Sequence, residues 1–109
     1  MVRLANPGRA AISVASALLV GCALHAAPTH ELASGEHAIS SAEALGAAKW
    51  APVELRLANE KLALGNRWMA ARDYEPARWL AEQALADAEL AAMKSRSHPT
   101  ARLAVRAEQ

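Results

Sequence analysis

Between residues 74 and 91 small and apolar side chains recur at Tyr74, Ala77, Ala81, Ala84, Ala88 and Ala91, at alternating intervals of three and four. An α-helix gathers those positions into one stripe. A strand, whose side chains alternate with period two, would scatter them over both faces. Leu80, Leu85 and Ala92 flank the stripe. Asp73 offers a side-chain acceptor to the free amides of the first turn, and Pro76 falls where a missing N–H is harmless. The spacing predicts a helix to about Ser97, roughly 36 Å long. An alanine stripe admits a partner helix at short range but buries little apolar area per residue, at about 25 cal/mol per Å². The fold it permits is an all-α antiparallel hairpin or three-helix bundle of modest stability.

Composition points the same way. Of 109 residues 29 are Ala, only 4% are aromatic and none is Phe. Alanine has the best intrinsic helix propensity, whereas a β-sandwich needs β-branched and aromatic residues. A second helix is expected from Pro52, since proline is tolerated in the first turn, with Glu54 complementing the positive helix end. Leu55, Ala58, Leu62, Gly65 and Met69 share its inner face, Leu57, Leu64 and Trp68 widen that stripe, and Arg56 with Glu60 forms an i,i+4 pair on the wet side. A further helix begins near Thr29 or His30, with Leu32, Ala38, Ile39, Ala42 and Leu45 as its apolar positions. Gly35 weakens it by about 1 kcal/mol relative to Ala, and Gly46 is a plausible stop. Residues 49–52 form the connection. His98-Pro99 interrupts the last helix, leaving residues 98–109 as a tail or a short helix. Trp68, Trp79 and Tyr74 are expected to supply much of the large apolar surface.

The N-terminus has a different pattern. Arg3 and Arg9 precede an apolar run, Ala10 to Val20, broken only by Ser13 and Ser16. Eleven residues are too few to span a hydrocarbon core of about 20 helical residues, and the layout is that of an export signal over residues 1–21. Leu19-Val20-Gly21-Cys22 resembles the lipobox of bacterial lipoproteins. The resemblance implies lipid attachment to the Cys22 thiol, cleavage between Gly21 and Cys22, and a lipidated tether over residues 22–29. Two or more acyl chains anchor stably, at about 0.8 kcal/mol per buried methylene. Ala23 carries no inner-membrane retention aspartate, which by analogy favours the outer membrane, facing the periplasm. Cys22 is the one cysteine, so the chain has no internal disulfide framework and no Cys-rich metal site. Without Arg3 and Arg9 the remaining chain has ten basic and eleven acidic side chains, a net charge near −1. Such a domain lacks the basic surface of a nucleic-acid binder.

Two resemblances concern the helical region, residues 30–97. Leu64-Gly65-x-x-Trp68 followed by Tyr74, Ala77, Ala84 and Leu85 resembles one tetratricopeptide-type helix-turn-helix unit. Arg72 departs from it at the usual turn glycine, Ala81 at a common large aromatic, and Glu89 at the closing proline. The stretches ELASGEHAISSAEALGA, WAPVELRLANEKL and DYEPARWLAEQALADAELA resemble a family of short bacterial envelope domains of unknown function. Members are typically exported, often as lipoproteins, and some carry a C-terminal peptidoglycan-binding domain. The resemblance implies a helical domain in the cell envelope and brings no catalytic residues with it.

Little in the sequence points to chemistry. His30 and His37 are seven apart, outside the usual i,i+4 ligand spacing, and no metal or other cofactor is expected. Asp73 and Glu75 read as helix-start carboxylates better than as an acid–base pair. The five glycines are scattered, and no nucleophile motif surrounds Ser34, Ser40, Ser41, Ser95 or Ser97. An enzyme is not expected. Trp50, Trp79 and Leu90 are the candidate partner surface, Trp79, off the alanine seam beside Arg78 and Leu80, forming with Leu90 a second apolar stripe if exposed. The expected function is a lipid-anchored periplasmic adaptor that binds another envelope protein or itself through helix packing. The alternative is a peptidoglycan-associated structural protein.

Overall fold

The computed structural model describes residues 26–108. The export signal, Gly21, Cys22 and most of the tether lie outside them. All regular structure among the described residues is helical: α1 (Thr29–Ala44), a single turn α2 (Ala47–Trp50), α3 (Pro52–Ala70), α4 (Tyr74–Ser97) and α5 (Pro99–Glu108). α3 and α4 form the antiparallel hairpin, and α1 lies against α4 and, less extensively, against α3. The molecule is thus an all-α three-helix bundle with α4 at its centre.

The alanine stripe of α4 is its core face. Ala77, Ala81, Ala84, Ala88 and Ala91 are fully buried, with Leu80 and Ala92 beside them. From α3 come Leu55, Ala58, Leu62 and Gly65; from α1 come Leu32, Gly35, Ile39 and Ala42. Small residues set the helix spacing. A Cβ on Gly35 would lie 3.1 Å from a Leu62 methyl, and one on Gly65 would lie within 3.4 Å of Ala77 O and Leu80 Cβ. The propensity cost of these glycines is offset by the close approach they allow. Ser95 is buried at the end of the stripe, its hydroxyl donating to Ala91 O at 2.8 Å. A hydroxyl satisfied inside its own helix costs little to bury.

The connections depart from the sequence reading in physically simple ways. Gly46 stops α1 in the left-handed conformation, at φ 85°. The chain then makes the turn α2 before Pro52, where only a connection was expected. The α3–α4 turn closes with Arg72 N–H donating to Met69 O and Asp73 N–H to Trp68 O, each at 3.0 Å. These are the two bonds of a Schellman closure. Its left-handed position, normally glycine, is filled by Arg72 at φ 60°. Asp73 stands at the N-cap of α4 as expected, but its side chain makes no capping hydrogen bond. The turn bonds already consume its backbone N–H and fix its conformation. His98 ends α4 in extended conformation, as the following proline requires, and residues after it form α5.

Trp68 and Trp79 do not join the core. They are 40% and 59% exposed. With the helices held together at alanine and glycine, the inner space has no room for indoles. The large rings lie at the rim or beyond it.

Candidate functional site

Three features of the surface stand out, and all derive from what α4 presents away from its alanines.

The first is a clamp on the incoming chain. Arg78 leaves α4 toward α1, its Nη2 donating to Ala26 O at 2.7 Å and its Nε to a Glu31 carboxylate oxygen at 3.3 Å. Pro28 is buried beneath this corner. Glu31 sits in the first turn of α1, and the free amides there, together with the Arg78 guanidinium, hold its carboxyl below the ordinary carboxylate value. The arrangement fixes where the chain enters the domain.

The second is an open groove of about 780 Å³ between α1 and α4, in the size range of ligand-binding clefts. His30, Ser34, His37 and Ser41 line the α1 wall; Leu85 and Met93 line the α4 wall. The two histidines therefore share a helix face, as their spacing allowed. Among the described residues no three His, Cys, Asp or Glu side chains gather as a metal site requires.

The third is the outer face of the α3–α4 hairpin. Leu64, Trp68, Trp79, Leu90 and Met93 are each at least 40% exposed. Two ion pairs cross the hairpin: Lys61 Nζ lies 2.6 Å from Asp87 Oδ2, and Lys94 pairs with Glu54. Both lie in one antiparallel register, since 54 to 61 on α3 matches 94 to 87 on α4. One heptad further, Trp68 is level with Leu80 and so beside Trp79. The apolar side chains thus form a band across both helices. The Lys94 ammonium, with a backbone amide, keeps the Glu54 carboxyl below its ordinary value.

The candidate residues Trp79 and Leu90 belong to this band. Trp50 does not. It is half-buried at the other end of the bundle, its ring stacked on His98 at 3.5 Å between centroids, with Lys49 Nζ 4.4 Å above the ring. Its aromatic face is engaged within the chain. The sequence reading missed the Arg78 clamp and the groove. Nothing local marks Arg78, whose partners lie 47 and 52 residues away.

No described helix is long and apolar enough to cross a membrane. No curated protein and no solved structure shows significant similarity to the chain. Residues 30–109, covering every helix but the first residue of α1, match a family described as a domain of unknown function, DUF4398, and the chain belongs to that family.

Proposed function

We propose that this protein is a lipid-anchored helical adaptor of a bacterial cell envelope, held at the outer membrane and facing the periplasm. The observation that carries the reading is Leu19-Val20-Gly21-Cys22 at the end of an apolar run, with Cys22 the one cysteine in the chain. The domain that follows suits the role. It presents an exposed apolar band and an open groove, both matched to helix packing. The Arg78 clamp also fits an anchored protein. From Cys22 to Ala26 the extended chain reaches about 15 Å. A lipid on Cys22 would therefore hold the domain against the membrane surface, entering at a fixed corner.

The test is the intact mass of the membrane-extracted protein beside a Cys22→Ala variant. The expected product begins at Cys22 and carries diacylglyceryl and acyl groups, which the variant lacks. A chain cut downstream of Cys22, or one retaining its apolar N-terminus, overturns the anchor.

A further inference from the structure

We propose that the outer face of the α3–α4 hairpin binds a second copy of this chain, the two hairpins meeting face to face about a twofold axis parallel to their helices. The proposal deepens the adaptor reading above by naming the partner, and rests on it only for the common membrane.

The first argument is the distribution of large side chains. Among the described residues the core holds Leu32, Ile39, Leu55, Leu62 and Leu80, and its other apolar members are alanines. Trp68, Trp79, Leu64, Leu90 and Met93 lie outside on one band. Together they expose on the order of 400 Å² of largely apolar surface, at 150–250 Å² per large residue. That is the size of the largest apolar patch of a typical monomer, about 300–600 Å², which is often a functional one. It supplies about half of the roughly 800 Å² per partner of a standard interface, the charged borders having to supply the rest.

The second argument is charge, and it selects both the occupant and the axis. Glu75, Glu82 and Glu89 recur every seven residues beside Trp79 and Met93 on the α4 border of the band, Glu89 also lining the groove against α1; Arg96 continues the row one heptad on, and the border stays net acidic. The opposite border belongs to α3. Lys61 faces α4 through Asp87. Arg56 and Arg67 lie about a third of a turn beyond it, past Leu64. Arg56 pairs with Glu60 in its own helix at 3.0 Å, and Arg67 leaves that border net positive. The face therefore carries a basic edge, an apolar middle and an acidic edge.

A twofold axis across the helices would set basic edge on basic edge and acidic on acidic. A twofold axis along them sets the basic edge of each copy on the acidic edge of the other. It also lays α3 antiparallel on α4 of the partner, the packing of an up-down four-helix bundle. The same axis keeps both N-terminal corners at one end, so that two copies anchored through Cys22 insert in one membrane.

The experiment is sedimentation of the full chain, purified in density-matched detergent, with helicity followed by circular dichroism. The wild type is expected at the mass of a dimer. Glu82→Arg with Glu89→Arg should weaken the dimer roughly tenfold or more, since like charges then face each other. Arg56→Glu with Arg67→Glu should do the same, and combining all four should restore the dimer at unchanged helicity. A wild type monomeric at every concentration overturns the proposal, as does a dimer indifferent to both charge sets and to Leu90→Glu. A folded four-fold variant no tighter than the doubles also overturns it. A monomer whose Cys22 still carries its lipid mass overturns the pairing and leaves the anchor intact.

Discussion

Arg72 holds a left-handed backbone conformation, φ 60°, that favours glycine. For a residue with a Cβ that conformation costs about 1–2 kcal/mol. Arg72→Gly should therefore stabilise the domain, by about 0.5–1 kcal/mol once the extra freedom of glycine in the unfolded chain is deducted. Chemical denaturation reads this directly, and a loss of stability would mean that Arg72 makes a contact outweighing its strain. Gly46 gives the converse case. At φ 85°, with the Trp50 ring 3.2 Å from where a Cβ would stand, Gly46→Ala should cost about 1–2 kcal/mol. The cost should appear together with a change in Trp fluorescence, because the ring must shift by a few tenths of an ångström against His98. The sequence marked both turns, one with glycine in place and one with arginine where glycine is usual. It could not show that the second turn keeps the glycine geometry regardless. That depends on α3 and α4 being held antiparallel by contacts far from the turn.

The helices themselves were legible where the chain carries local punctuation. Pro52 opens α3, residues 73–76 open α4, and His98-Pro99 closes it, all as the sequence implied. The alanine stripe named the buried face because a seam of one residue type leaves only one way to pack. Large side chains beside a stripe are ambiguous, and Trp68 shows why. Its place on the wheel borders the core, and only the position of α1 decides whether it is covered. At 40% exposure, Trp68→Ala should cost well below the about 3–5 kcal/mol of a fully buried tryptophan. Ala84→Leu, at a fully buried alanine, should cost about 1–3 kcal/mol or more through overpacking. A larger loss at Trp68 than at Ala84 in urea denaturation would reverse this picture of the core. The ion pairs between elements were illegible, since Glu54 and Lys94 are 40 residues apart. They leave a signature in acid. Lys94 holds the Glu54 carboxyl below its ordinary value of 4.5, and Glu31 is lowered likewise by its own helix start and by Arg78. Both groups are more acidic folded than unfolded. Their contribution is complete above the ordinary value and is lost as pH falls through the lowered ones. The joint contribution of these two carboxylates should be constant from pH 7 to about 5 and decline below about 4.5. Glu54→Gln should shallow that decline, and an unchanged acid limb would mean the pair forms equally in the unfolded chain.

At the scale of the whole molecule the distribution of volume matters more than any single contact. A core of alanine, glycine and five larger aliphatics removes little apolar area from water, so the burial of the single domain supports only modest stability. Within the described residues the hairpin face offers further burial, beside the groove between α1 and α4. The candidate surface was half legible for the same reason: Trp79 and Leu90 fall opposite the alanines by periodicity alone, whereas Leu64 and Trp68 join them only through the register of the hairpin. If two copies share that face, folding and association are linked, and the melting temperature depends on concentration. A tenfold dilution removes about 1.4 kcal/mol from the association free energy, which should lower the melting temperature by a few degrees. Leu90→Glu should melt at the lower temperature already at high concentration, and its melting point should no longer move on dilution. A wild type whose melting temperature is independent of concentration would place all its stability in the single chain, and the exposed band would then need some other occupant.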